Sequence, residues 1–258
     1  MRRIREGFSY LLVHSSLRTR NQGVQLENVS IELWGFTLLR PTTTFTSLLL
    51  AAQCWVLFRR LRPAGVPGGI PGNGHGQLEA DAVQHHPWSG FYFFMAIANL
   101  LSVAKHGIPN YLTAGFLAVT VFLSYLAAGL GILHLEEGTI RGHVKRAVPR
   151  RWLQRGAYGK FALFVIAIAV IRSILFVVVD AVSGLIPVLV AEGLSVRLVT
   201  PQSRWIAGGL LVSVLAVLGY LLQLSAHAWF DHRDLGHVLM MLGLWMFYRG
   251  VRPHPGAN

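Results

Sequence analysis

The run FALFVIAIAVIRSILFVVVDAVSGLIPVLVAEGL, residues 161–194, decides the architecture. Its 34 residues exceed the ~20 that one membrane crossing needs. Arg172-Ser173 stands near the middle and marks a place for a tight helical hairpin. Divided there, the chain has seven apolar helices; left whole, it has six. The choice determines which helix ends share a face of the membrane.

Working outward, apolar runs cover residues 43–58, 91–103, 111–133, 205–224 and 235–248. A Gly/Pro-rich linker at 63–87 separates the first two, and 136–160 reads as a basic cytoplasmic loop with an interfacial helix around Trp152. Residues 43–250 thus form a transmembrane bundle. Before it lies a tail, 1–42, in which Ile4, Phe8, Leu11 and Leu12 make the stripe of an interfacial helix; after it comes a tail at 251–258. The fold class expected is an all-α polytopic bundle of seven spans.

Composition agrees. Apolar residues are 53% and charged residues 13%, with a mean hydropathy of +0.49, whereas a soluble domain carries about 25% charge. The net charge of +12 is the surplus that cytoplasmic loops need, so a nucleic-acid partner is excluded and membrane lipids are the expected one. Cys54 stands alone, which rules out an internal disulfide and any cysteine-built zinc or iron–sulfur site. With seven helices, Arg59, Arg60, Arg62, Arg141, Arg146, Arg150, Arg151, Arg249 and Arg252 gather on one face, and Lys105, Arg172 and Arg233 on the other. The positive-inside rule then orients the chain N-out and C-in. Twenty arginines against three lysines point to a bacterial inner membrane.

Ionisable groups inside spans are costly, so each is a functional candidate. Ser102 and His106 are four apart on one helical face; the pair reads as a metal ligand with a hydroxyl donor, or as an ordinary interfacial helix end beside Lys105 and Gly107-Ile108-Pro109. The last helix opens Asp231-His232-Arg233-Asp234-Leu235-Gly236-His237. Asp231 and Asp234 suit a capping box, which leaves His237, one turn deeper, unexplained. His232 and His237 diverge by roughly 140° in a regular helix, so they share a metal only if His232 sits in the first turn. Arg172 and Asp180 are expected to neutralise each other across the hairpin. His227 is a spare ligand candidate.

Ser102-x-x-x-His106 in the second helix, with histidines opening the seventh, resembles the superfamily of alkaline ceramidases and progestin/adipoQ-type receptors. The resemblance implies a seven-helix bundle in which zinc is held by one histidine of the second helix and two of the seventh. Carried onto this sequence, His106, His232 and His237 bind Zn²⁺, Ser102 donates to an oxyanion, and Asp234 or Asp180 acts as base or orients a ligand. Arg233, not histidine, stands four residues before His237, and residues 111–133 contain no acid. Three functions follow as expectations: a zinc-dependent intramembrane hydrolase of a lipid amide or ester, a non-enzymatic receptor-like or transport bundle, and a b-type haem protein using His106 and His237.

Overall fold

The computed structural model describes residues 30–33, 36–61, 75–144, 146–171, 173–196, 201–225, 227 and 229–252. Among them the chain forms one hairpin and seven α-helices: β1 (Ser30–Leu33), β2 (Phe36–Leu39), α1 (Pro41–Leu61), α2 (His75–Gly107), α3 (Ala114–His143), α4 (Ala147–Ile171), α5 (Ile174–Val196), α6 (Pro201–Leu221) and α7 (His232–Val251). The all-α bundle is therefore what the chain adopts, with a two-stranded antiparallel ornament (Ser30 opposite Leu39) at its front. The proposed interfacial helix of residues 4–12 lies outside the described residues.

The long apolar run divides where its polar residues stand. Helix α4 ends at Ile171 and α5 begins at Ile174. Ser173 Oγ accepts from the Leu175 N–H at 3.2 Å, satisfying one of the orphan donors of the new helix. Two sequence-based boundaries need correction. The stretch 136–160 is not a loop: α3 continues to His143, and α4 starts at Ala147. Arg151 and Arg155 ride on the exposed surface of α4, with the Arg155 guanidinium 5.4 Å from the Trp152 ring centroid. The linker at 63–87 is likewise helical from His75, with Pro87 inside α2.

Helices α1, α2 and α7 make the centre. Tyr92 is fully buried and its Oη donates to Leu244 O at 2.9 Å, while Gln53 Nε2 donates to Met241 O at 2.8 Å. Leu50, Cys54, Leu57, Phe91 and Phe247 fill the space between. At one end the start of α1, the end of α2 and the start of α7 meet. Gly107 lies against Thr44, 2.9 Å from where a Cβ would stand, and Thr46 touches Asp234 across α1 and α7. Tyr111 Oη accepts from the Thr37 N–H at 2.7 Å and fastens the hairpin to that same end.

Among the described residues, four helical segments are long and apolar enough to cross a membrane: Pro87–Gly107, Ala114–His143, Ala147–Ile171 and Ser203–Leu221, with Ile174–Val188 a shorter apolar helix. On α4, Leu163, Ile166 and Val170 are 70%, 60% and 76% exposed. In water such a face would be an aggregation site; in a bilayer it is the solvated one. The chain is a membrane protein.

The entry to α7 is built by a capping box. Asp231 Oδ1 accepts from the N–H groups of Arg233 (2.8 Å) and Asp234 (3.3 Å), and Asp234 Oδ2 accepts from the Asp231 N–H at 3.1 Å. Asp231→Ala is expected to cost about 1 kcal/mol, read as a lower Tm in detergent, with Asp231→Asn recovering most of the loss.

Candidate functional site

The capping box turns Asp234 inward, to 1% exposure. Its Oδ2 is occupied by the box, and its Oδ1 lies 3.1 Å from Thr46 Oγ1. Thr46 Oγ1 is also 2.9 Å from His237 Nδ1 and 3.2 Å from Thr43 O. A hydroxyl has one proton to give, and a carboxylate is the stronger acceptor. Thr46 therefore donates to Asp234 and accepts from His237 Nδ1–H, a tautomer assigned by the network. The relay His237–Thr46–Asp234 leaves the Nε2 lone pair free. It is assembled from α1 and the first turns of α7, which only the bundle brings together.

His237 lines a cavity of about 300 Å³ enclosed by α1, α2, α3, α5, α6 and α7. Ser102 and Lys105 of α2 and Asp180 of α5 line the same cavity, with Met95, Leu135, Met240 and Leu244. Several polar neighbours are already committed to backbone: Asn99 Nδ2 to Met95 O (2.8 Å), Ser124 Oγ to Ala98 O (3.3 Å) and Ser213 Oγ to Gly209 O (2.9 Å). Lys105 Nζ lies 5.6 Å from the Tyr125 ring centroid. Most of the wall is thus an apolar container, and its reactive groups are few.

The end of the cavity near His237 is cationic. Arg40, Lys105 and Arg233 lie within electrostatic range of one another, with Asp231 as a counter-charge 3.5 Å from the Arg233 guanidinium. Burial and the adjacent Arg233 charge lower the Arg40 pKa from its ordinary value, against the pull of Asp231. His106 sits among these groups at the end of α2, within electrostatic range of His237.

The sequence-derived candidates separate accordingly. His106 and His237 share one end of the bundle, and Ser102 and His237 share the cavity. The His232 ring, at the first position of α7, instead meets Tyr220 of α6 edge-on at 5.3 Å. Among the described residues no three His, Cys, Asp or Glu side chains are grouped to hold a metal ion. His227 is exposed, and its Nδ1 accepts from the Trp229 N–H. Asp180 pairs with Lys160 of α4, which lies 2.9 Å from its Oδ1 and 2.7 Å from Glu136 Oε1 of α3. Arg172 lies outside the described residues.

A family model matches residues 42–254, most of the chain. The chain belongs to DUF6962, a family of unknown function. The stretch matched to DUF6962 contains the whole relay, the cavity and the Glu136–Lys160–Asp180 cluster. No curated protein and no solved structure matches the chain. Within this DUF6962 chain, sequence reading overlooked Thr46, Lys160 and Glu136. Thr46 had a signal, since Thr42-Thr43-Thr44-Phe45-Thr46 opens an apolar helix with hydroxyls. The other two were assigned to a loop.

Proposed function

We propose that this chain hydrolyses an acyl amide or ester of a membrane lipid, with His237 as general base and the bundle cavity as the acyl subsite. The observation that supports this reading is the placement of His237 on an apolar cavity wall, its Nδ1 held by Thr46 and Asp234. A volume of about 300 Å³ stands at the lower end of small-molecule pockets, enough for the scissile linkage and a segment of one acyl chain. The cations Arg40, Lys105 and Arg233 favour a lipid with an anionic headgroup.

In this reading, His237 Nε2 takes a proton from water as the oxygen attacks the lipid carbonyl carbon. The oxyanion accepts hydrogen bonds from Lys105 and Ser102. Collapse breaks the bond to the leaving alcohol or amine, which takes the proton back from His237; the fatty acid then gives its own proton to solvent and stays as the carboxylate beside Lys105. General-base catalysis contributes ~100- to 10,000-fold, and each oxyanion donor ~100- to 1,000-fold. Zinc is implied by the ceramidase resemblance, but His232 is turned to Tyr220 and does not complete a site with His106 and His237. No step therefore runs through a metal. The same proposal places the chain in a bacterial inner membrane, N-out and C-in, with the cavity's cationic end outward.

Purified protein in micelles is expected to release fatty acid from an N-acyl or O-acyl anionic lipid. Intact lipid of both classes after prolonged incubation with stoichiometric protein overturns hydrolysis. Stoichiometric zinc in the wild type, lost in both His106→Ala and His237→Ala, overturns the metal-free route. A second reading, a bundle that binds the lipid without turnover, draws on the commitment of Asn99, Ser124 and Ser213 to backbone carbonyls. Saturable lipid binding with no release would select it.

A further inference from the structure

Between α3, α4 and α5, away from the relay, three helices contribute one charge each. Lys160 of α4 reaches Glu136 Oε1 of α3 at 2.7 Å and Asp180 Oδ1 of α5 at 2.9 Å. The same ammonium lies 3.3 Å from Asp180 O and 3.5 Å from Ser183 Oγ. Glu136 and Asp180 are 3% and 5% exposed. Glu136 Oε2 is buried without a hydrogen-bond partner, and Asp180 lines the cavity. The close approach is built in: a Cβ at Gly184 of α5 would stand 2.3 Å from Ile132 and 3.0 Å from Glu136 Oε1.

The charges do not balance. Two carboxylates and one ammonium sum to −1, in a setting where uncompensated charge is expensive. Among the described residues, Lys160 is the charged side chain paired with Glu136 and Asp180. Residues 87–104 of α2 contain no Asp, Glu, Lys, Arg or His, and neither do residues 205–221 of α6. On α3 the neighbouring Glu137 is paired with Arg141 and lies 3.9 Å from His134. We infer that the Glu136–Lys160–Asp180 triad is a proton-binding site: it holds one proton shared between the two carboxyl groups, in contact with the cavity through Asp180. The proton restores neutrality and satisfies the unpartnered Glu136 Oε2. The site is independent of the lipid-hydrolysis reading and stands if that reading fails.

Infrared spectroscopy of the full chain in nanodiscs at neutral pH tests this through the protonated-carboxyl C=O band, identified by its shift in D2O. The wild type is expected to show one such group from the triad. Glu136→Gln and Asp180→Asn each leave a neutral one-to-one pair, so either substitution removes the band. Lys160→Met leaves two carboxyls and no ammonium, so the band doubles. Absence of the band from the wild type overturns the assignment, and so does a band unchanged in both Glu136→Gln and Asp180→Asn. A band that disappears on adding sodium identifies a cation site instead and overturns it too. The wild-type D2O measurement alone keeps the test decisive if a variant fails to fold.

Discussion

His237→Ala is expected to lower acyl release by ~100- to 10,000-fold while lipid binding is retained. The imidazole is the base in the proposed reaction, and the apolar wall formed by Met95, Leu135 and Leu244 remains intact without it. Asp234 is a poor probe of the same idea, because one of its oxygens closes the capping box of α7. Removing it would loosen the helix as well as the relay. Thr46→Val separates the two effects, since it deletes only the bridging hydroxyl and preserves shape. Losing an orienting partner of this kind costs ~10- to 100-fold in activity, expected in kcat with KM unchanged, alongside a lower Tm because the buried Asp234 Oδ1 loses its donor. A Thr46→Ser variant restores the hydroxyl and most of the rate. If Thr46→Val turns over lipid as fast as the wild type, the relay has no part in catalysis, whatever His237→Ala does.

The second large effect concerns the contact between α6 and α7. A Cβ on Gly209 would stand 2.9 Å from Gly243 O and 2.9 Å from the Phe247 ring, and one on Gly243 would stand 3.2 Å from Gly209 O. These are mutual backbone approaches, and a carbonyl in a helix cannot swing aside as a flexible side chain can. Helix pairs in membranes depend on such small residues because no hydrophobic effect drives them together. Gly209→Leu therefore pushes the helices apart and should abolish the folded bundle. Gly209→Ala should cost ~1–3 kcal/mol by overpacking. Gly156 on α4 has nothing within 4 Å of its Cβ position, so Gly156→Ala serves as the control and should be neutral or slightly stabilising. Thermal unfolding in detergent reads all three. Equal Tm for Gly209→Leu and wild type would show that this close contact carries no stability. Because α7 also holds Asp234 and His237, Gly209→Ala is expected to reduce activity along with stability.

Helix existence was readable because periodic apolar runs and breakers are local. Arg172-Ser173 interrupts a long run, and the helices do part at that point. Asp231-x-x-Asp234 spells a capping box, and the box forms. Boundaries were less legible where charge misled. Residues 136–160 look like a loop by composition, yet helices tolerate arginine along an exposed face, so α3 and α4 run through most of the stretch. That error concealed Glu136 and Lys160 as partners of Asp180.

Local sequence determined that this chain is helical and membrane-embedded, that α7 begins at a capped turn, and that His237 lies on the Asp234 face. These follow from hydropathy, helical period and the needs of unsatisfied N–H groups, all properties of short stretches. Only the tertiary structure decided that Thr46 stands between Asp234 and His237, that His232 turns to Tyr220, and that Lys160 joins two acids. Thr46 and Asp234 are 188 residues apart. Contacts over that separation depend on how whole helices pack, and packing is set by the sum of many side chains rather than by any motif.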